Sequence, residues 1–161
     1  MRWHPHKAPL RNYFWDIAAY IRILLFSAPM LTLLSVHHIA LICSDYSVSK
    51  RFYTEVLGLR VLQEAYRTER QSWKLDLALG EQYVLELFSF PNPPPRPSHP
   101  EATGLRHLAF AVANLDATVQ HLIDQGVMPE PVRTDEFTGR RFTFIQDPDG
   151  LPLEFYEEPA R

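Results

Sequence analysis

The strongest constraint on the fold of this chain is an internal repeat. From residue 36 onward, the spacing of apolar residues predicts the same order of elements twice: a strand, a helix and then three strands. Strands are predicted at 36–42, 60–66, 73–79 and 83–90 in the first copy, and at 105–112, 128–133, 141–146 and 151–156 in the second. The sequence therefore predicts an α+β fold built from two β-α-β-β-β modules.

Each predicted helix has recognisable start and stop residues. Asp45 or Ser47 can cap the first helix, and Asn114 can cap the second, because short polar side chains accept hydrogen bonds from free amides of the first turn. Gly58 and Gly126 follow the last apolar positions of the two helices and are expected to end them.

A proline-rich segment separates the two modules. Residues 91–100 hold six of the 14 prolines, which predicts a stiff, extended linker and not a strand. We therefore expect a single domain at residues 30–158, with module 1 at 35–90, the linker at 91–104 and module 2 at 105–158.

Residues 1–29 differ in charge from the rest of the chain. They carry four basic residues and one acidic residue, a net charge of +3, whereas the remainder carries −6. An uncharged run at 23–34 makes this start resemble a signal peptide or a short anchor. The run is short for a membrane span and contains Pro29, so we expect no membrane association. The other interpretation is a misassigned start, with Met30 as the natural first residue.

Charge and cysteine content exclude several classes of function. The 16 Lys and Arg residues against 19 Asp and Glu residues give a net charge of −3, which does not point to nucleic acid. A single cysteine, Cys43, excludes an internal disulfide framework and a multi-cysteine zinc or iron–sulfur site. We expect a cytoplasmic protein in which any metal is held by histidine and carboxylate side chains.

One histidine and one glutamate occupy equivalent positions in each module. His38 aligns with His107 on the first strands and Glu86 aligns with Glu154 on the last strands, at separations of 48 and 47 residues. A half-buried glutamate among apolar neighbours is costly unless it is paired or binds a cation. Two imidazoles and two carboxylates suit a divalent transition metal, so the repeat predicts a metal site made of these four residues.

Each of these residues has a simpler interpretation when it is taken alone. A histidine at a strand start is usually a hydrogen-bonded structural residue, and a strand glutamate often points to solvent. The symmetric repetition favours the metal site. His37 competes with His38 as a ligand, but adjacent strand residues face opposite sides of a sheet and only one of them reaches the site. The alignment with His107 selects His38.

Two modules with a histidine and a glutamate in each resemble the vicinal-oxygen-chelate superfamily, which includes glyoxalase I, bleomycin-resistance proteins and extradiol dioxygenases. The matching motifs are HIAL at 38–41, VLEL at 84–87, RHLAF at 106–110 and DPDG at 147–150. Together with WKLDL at 73–77, they resemble more closely the small YaeR-type glyoxalase-like proteins of bacteria. The resemblance covers roughly residues 30–158.

This resemblance implies a metal-dependent enzyme. Each module is expected to form a curved half-barrel, and paired half-barrels to enclose the metal, commonly in a homodimer. His38, Glu86, His107 and Glu154 match the four metal ligands of glyoxalase I, which implies a divalent ion such as Ni, Co, Mn or Zn. Glu154 matches the carboxylate that moves the substrate proton. The implied function is a glyoxalase I-like lyase or isomerase that acts on a small oxygenated substrate through an enediolate-type intermediate.

The substrate side departs from glyoxalase I. Ile42 and Phe90 stand where that enzyme has an arginine and an asparagine for glutathione, so glutathione specificity is not expected. Charge at the mouth of the pocket is expected instead from Arg67, Arg70, Lys74 and Arg141, unless these are simply solvated. Two other functions remain open. One is an extradiol-type dioxygenase, whose iron prefers two histidines and one carboxylate; the other is a non-catalytic small-molecule binding or resistance protein.

Overall fold

The computed structural model of the protein describes residues 31–97 and 102–159. The chain divides into two units, Met1–Ser35 and Val36–Arg161. Of the first unit, the described residues 31–35 contain no helix or strand. The expectations for residues 1–29 therefore lie outside the described residues. Both modules belong to the second unit.

The first module follows the predicted order of elements. Asp45 caps its helix by accepting a hydrogen bond from the Val48 amide at 3.0 Å. Gly58 follows the helical segment with a φ of 71°, a left-handed conformation that glycine adopts without steric cost. The elements are β1 (Ile39–Cys43), α1 (Tyr46–Arg51), which continues as a π-helix (Phe52–Val56), β2 (Arg60–Arg67), a 3₁₀ turn (Thr68–Arg70), β3 (Ser72–Leu79) and β4 (Gln82–Ser89).

The second module repeats this order with one shortened strand. Asn114 caps its helix and accepts from the Ala117 amide at 3.0 Å. The predicted strand at 128–133 is reduced to two residues, since Pro129 and Pro131 have no amide hydrogen to donate to a sheet. The elements are β5 (Leu108–Val112), α2 (Leu115–Asp124), β6 (Arg133–Thr134), β7 (Arg141–Gln146) and β8 (Pro152–Glu157).

The two modules have the same sheet topology. The strand orders are β1-β4-β3-β2 and β5-β8-β7-β6, so the first and last strands of each module are neighbours. These neighbours run parallel, whereas the other pairs are antiparallel. Each module is thus an open, mixed, four-stranded sheet, and the predicted α+β fold of two β-α-β-β-β modules is confirmed.

A single hydrophobic core joins the two modules on the helix side of the sheets. It combines leucines of β3 and β4 with side chains of both helices and of β7 and β8, including Phe52, Leu75, Leu87, Leu122 and Leu153. Burial of this apolar surface is the main favourable term in folding, at about 25 cal/mol per Å².

Hydrogen bonds reinforce the junction between the modules. The buried Tyr53 hydroxyl donates to Asp147 at 2.8 Å, and the Ser44 amide donates to Asp149 at 3.1 Å. Burial raises the pKa of the Asp147 carboxyl above its ordinary value, although backbone amides and Tyr53 donate hydrogen bonds to it. The DPDG motif at 147–150 therefore fixes one module on the other.

The opposite face of each sheet is less covered. On β1 the helix side carries Ile39, Leu41 and Cys43, and the alternating positions Ala40 and Ile42 are exposed. Side chains alternate between the two faces of a strand, so His38, directly before β1, and His107, directly before β5, lie on this less covered face. Within residues 31–97 and 102–159, no helix has the length and apolarity needed to cross a bilayer.

Candidate metal centre

In module 1, strand pairing brings His38 and Glu86 together. The parallel register sets Ala40 opposite Glu86, and His38 lies two residues before Ala40 on the same face. The His38 Nε2 atom is 3.0 Å from a carboxylate oxygen of Glu86. Two residues that are 48 positions apart in sequence thus form a close pair.

Module 2 repeats this arrangement in the same register. Ala109 lies opposite Glu154, and His107 lies two residues before Ala109. The His107 Nε2 atom is 3.2 Å from a carboxylate oxygen of Glu154. The two histidine–glutamate pairs are therefore equivalent positions of one repeated backbone.

Both pairs are partly shielded from water. The Glu86 and Glu154 side chains are 13% and 14% exposed, and the two histidines 34% and 28%. His37 takes a different position: its Nδ1 is 2.7 Å from the Nδ1 of His38, and its ring packs edge-on against Tyr83. His38, and not His37, is the histidine that pairs with Glu86.

The four residues form two pairs and not one cluster. Among the residues that the structure describes, no three His, Cys, Asp or Glu side chains are grouped closely enough to hold a metal ion. Protein metal sites of this chemistry use three or four protein ligands, and each pair supplies two. One chain therefore presents two half-sites. We call His38 with Glu86 half-site 1, and His107 with Glu154 half-site 2.

A lysine and an aspartate lie next to half-site 1. Lys74 Nζ is 2.8 Å from Glu86 and 2.6 Å from Asp76, and the Tyr83 hydroxyl donates to Asp76 at 3.2 Å. Burial acts to raise the pKa of Glu86, but the hydrogen bonds from Lys74 and Tyr83 outweigh it and hold that pKa below its ordinary value. The Glu86 carboxylate is thus held in its charged form and in one orientation.

A register shift between β3 and β4 turns the Tyr83 side chain towards half-site 1. The register of β3 and β4 shifts between Leu77 and Ala78, which sets Tyr83 opposite Ala78. A β-bulge of this kind redirects a side chain to the other face of a sheet. The Tyr83 ring stacks on His38 with centroids 5.2 Å apart, so the irregularity also supports the imidazole.

Half-site 2 has aromatic neighbours instead. Phe144 stands opposite Glu154 in the sheet, at the position that Asp76 has opposite Glu86. The His107 ring contacts Phe144 edge-on, with centroids 5.4 Å apart. Among the described residues, Glu154 forms its ion pair with His107.

Asp76 and Tyr83 were missed as site residues by the sequence analysis. Asp76 follows Lys74 at a spacing of two in an otherwise apolar strand, and this spacing places both on one face. This spacing could have identified Asp76, but no pattern in the sequence predicts the register shift that changes the orientation of Tyr83.

Two of the charges expected at the mouth of the pocket have different partners. Lys74 contacts Glu86, whereas Arg141 pairs with Asp116 and Glu157.

Comparison with known proteins identifies the family. The family model of the Glyoxalase/Bleomycin resistance protein/Dioxygenase superfamily matches residues 35–155, which is most of the chain. The chain belongs to this superfamily. It is 62% identical to protein YwkD of Bacillus subtilis (strain 168) over 124 residues, covering 77% of this chain and 97% of that protein. It is 60% identical to protein YaeR of Escherichia coli (strain K12) over 129 residues, covering 80% and 100%. The resemblance to YaeR-type members of the superfamily is confirmed.

Two further proteins are similar to this chain. A crystal structure of a glyoxalase family protein from Enterococcus faecalis matches with a TM-score of 0.74 and 49% identity, covering 79% of this chain and all of that one. A 2-epi-5-epi-valiolone epimerase from Actinomyces sp is 31% identical, and the match covers 78% of this chain and 80% of that protein.

Proposed function

We propose that the protein is a divalent-metal-dependent, glyoxalase I-like lyase or isomerase that acts on a small oxygenated substrate. The observation that carries this proposal is the pair of equivalent half-sites, each with a histidine Nε2 facing a shielded carboxylate. The similarity to an epimerase supports an isomerase-type reaction, because epimerisation also moves a proton at carbon.

The donor set of the two half-sites fits a divalent ion. Two imidazoles and two carboxylates match Ni, Co, Mn or Zn and leave coordination positions for substrate oxygens. We propose that His38, Glu86, His107 and Glu154 hold the ion together when half-site 1 of one chain meets half-site 2 of a second copy. The homodimer thus completes the site, and the less covered face of each sheet is where the second copy packs.

The two carboxylates are proposed to have different tasks. The bound ion supplies Lewis-acid stabilisation of negative charge on the substrate oxygens. Glu154 takes a proton from the carbon next to a carbonyl group; the C–H electron pair forms the new C=C bond and the carbonyl π pair moves to oxygen. For an α-hydroxycarbonyl substrate, Glu154 then returns the proton to the former carbonyl carbon. The C=C electron pair forms this C–H bond, the α-hydroxyl oxygen forms the new C=O, and the hydroxyl proton moves to the former carbonyl oxygen. Glu86 keeps its position because Lys74 holds it.

The residues of module 1 at the positions where glyoxalase I contacts glutathione argue against a glutathione-containing substrate. Ile42 and Phe88 are opposite each other on the site face, and Phe90 follows two residues later on that face. The Arg67 guanidinium lies over the rings of Phe88 and Phe90, at 4.6 and 5.6 Å from their centroids. Ile42 and Phe90 themselves carry no polar side-chain atom that could hold a glutathione carboxylate. We expect the purified protein to form little lactoylglutathione from the glutathione hemithioacetal; rapid formation would make glyoxalase I itself the better assignment.

Metal analysis of protein purified without chelators tests the proposed function. We expect one stoichiometric Ni, Co, Mn or Zn ion per chain. Stoichiometric iron together with oxygen-dependent ring cleavage would favour the dioxygenase alternative, and absence of metal with tight ligand capture would favour the binding-protein alternative.

Single-residue variants link that metal to the half-sites. His107→Ala is expected to lose the metal and the activity together. His121→Ala, a helix position whose ring contacts the Val56 carbonyl, is the matched control and should keep both. If the two variants bound equal amounts of metal, the assignment of half-site 2 would be wrong.

A further inference from the structure

A pocket of about 260 Å³ lies beside half-site 2. His107 forms part of its wall, so any molecule in the pocket is next to a proposed metal ligand. Among the described residues that line the same pocket are three arginines, Arg96, Arg106 and Arg133, and one carboxylate, Glu130. Arginines thus outnumber carboxylates in the described part of the lining, although the chain as a whole is acidic.

Arg133 is held in place with part of its guanidinium unused. It donates to Glu130 at 3.0 Å, and its guanidinium carbon lies 5.0 and 5.3 Å from the ring centroids of Phe142 and Phe144. A guanidinium has five N–H donors, and a single contact to Glu130 leaves others for a ligand. Stacking on two rings fixes the plane of the group and lowers the entropy lost when a ligand binds.

Arg96 reaches the pocket from the proline-rich linker. Its Nη2 donates to the backbone carbonyls of Leu105 and Arg106, which ties the linker to the start of module 2. Its Nε is buried and has no hydrogen-bond partner among the described residues. Arg96 therefore brings a positive charge from the linker to the wall of the pocket.

Arg106 completes the arrangement next to the metal ligand. Its Nη1 is 3.3 Å from the Nδ1 of His107. Guanidinium groups recognise carboxylates and phosphates because their planar N–H pairs match two oxygens of such a group. Three of them converge on one pocket, within contact of a histidine that is proposed to hold the ion.

We propose that this pocket is an oxyanion subsite that binds a carboxylate or phosphate group of the substrate. Its assignment to the substrate rests on the proposed function; oxyanion binding by the pocket does not. The proposal narrows the substrate to a small oxygenated molecule with a terminal anionic group, whose neighbouring oxygens reach the ion while the anion lies against Arg106 and Arg133.

Titration calorimetry of the full chain in the presence of a chelator tests the subsite without any metal contribution. The probes are glycerate, glycerol 3-phosphate and neutral glycerol at fixed ionic strength. We expect saturable binding of at least one anion and none of glycerol. A tighter affinity for glycerate indicates a carboxylate ligand, and a tighter affinity for glycerol 3-phosphate indicates a phosphate ligand.

Variants assign that binding to the pocket. Arg133→Gln and Arg106→Gln should each weaken it by about tenfold or more, the effect of losing a charge-assisted hydrogen bond. Arg51→Gln removes an exposed arginine of α1 that does not line this pocket and is the matched control, with affinity expected to be unchanged. Circular dichroism of each variant confirms folding, and two independent arginine variants keep the test valid if one of them fails to fold.

The outcomes separate this proposal from the proposed function. Equal binding of glycerol, or unchanged anion affinity in both arginine variants, would overturn the subsite. Metal bound stoichiometrically without anion binding would overturn the subsite alone. Anion binding in a protein that never takes up a metal would overturn the proposed function and leave the oxyanion pocket standing.

Discussion

The two modules place their glutamates in the same backbone position but in different chemical surroundings. Glu86 contacts His38 and Lys74, and Lys74 is itself anchored by Asp76. Glu154 pairs with His107 and has Phe144 opposite it in the sheet. The positions of Asp76 and Phe144 are equivalent, so the repeat keeps the geometry of the histidine–glutamate pairs but not the identity of their neighbours.

This difference in surroundings supports the different tasks proposed for the two carboxylates. A carboxylate held by a lysine costs more to move, because motion breaks a charge-assisted hydrogen bond at 2.8 Å. A carboxylate without such a partner would be freer to move and to accept a proton. Surroundings of this kind, more than backbone position, set the roles of paired carboxylates in active sites.

The largest effect is expected when Glu154, the proposed base, is changed. Glu154→Gln keeps the shape and an oxygen for the ion but cannot accept a proton, so turnover should fall by about 10²–10⁴-fold while most of the metal is retained. Glu86→Gln should instead lower metal content more than it lowers turnover per bound metal. The measurement is turnover and metal content of both variants, side by side.

The two variants also provide the outcome that would reverse the comparison. An active Glu154→Gln enzyme, together with a metal-loaded but inactive Glu86→Gln enzyme, would assign the base to module 1. Lys74 would then be a partner of the base and not an anchor for a static ligand.

A smaller effect is expected from removing the lysine of half-site 1. Lys74→Met leaves Asp76 and Glu86 shielded and without their shared cation, which should lower the unfolding free energy of the metal-free protein by about 1–3 kcal/mol. Because Lys74 lowers the pKa of Glu86, this carboxylate stabilises the fold at pH values above its ordinary pKa, and that contribution is lost as pH falls through the lowered pKa. In the variant this acid-induced loss of stability should be smaller. Urea unfolding at several pH values measures both effects.

Lys50→Met is the matched control for that variant. Lys50 pairs with Glu64 at 2.6 Å on a more exposed surface, where an ion pair contributes less than about 1 kcal/mol. Equal destabilisation by the two substitutions would show that Lys74 is an ordinary surface lysine.

The smallest effect is expected at the ion pairs of module 2, which lie away from its half-site. Arg141 donates to both oxygens of Glu157, at 2.8 and 2.9 Å, and with the Leu115 amide it lowers the pKa of Glu157 from 4.5 to about 2. This contribution to stability is present above pH 4.5 and is lost as pH falls towards 2. Arg141→Gln should flatten the pH dependence of unfolding in that window and leave metal content unchanged. Loss of metal in this variant would show that the pairs support the site.

The order of helices and strands in the two modules was predictable from the sequence because it depends on local patterns of residues. Alternating apolar residues, Asp45 and Asn114 as helix caps, and the glycines after both helices predict the two modules, and the structure has them. The strand at 128–133 was predicted too long, because the apolar pattern outweighed two prolines that cannot join a sheet.

The surroundings of the ligands were less predictable because they depend on pairing between distant strands. The equivalent His and Glu positions follow from the repeat, and His38 does pair with Glu86. The contact of Lys74 with Glu86 depends on the register of β3 against β4, and the position of Tyr83 on an irregularity in that register. The return of Arg96 from the linker to module 2 is a tertiary contact with no signal in the local sequence.

Subunit mixing tests most directly whether half-site 1 of one copy meets half-site 2 of another. His38→Ala and His107→Ala are each expected to bind little metal and to show little activity. After mixing and subunit exchange in equal amounts, half of the dimers carry both variants, and each of these has one site with all four native ligands. The mixture should therefore regain about one quarter of the wild-type metal content and activity. A mixture that stays metal-free and inactive, although exchange of subunits is demonstrated, would contradict a site shared between two copies.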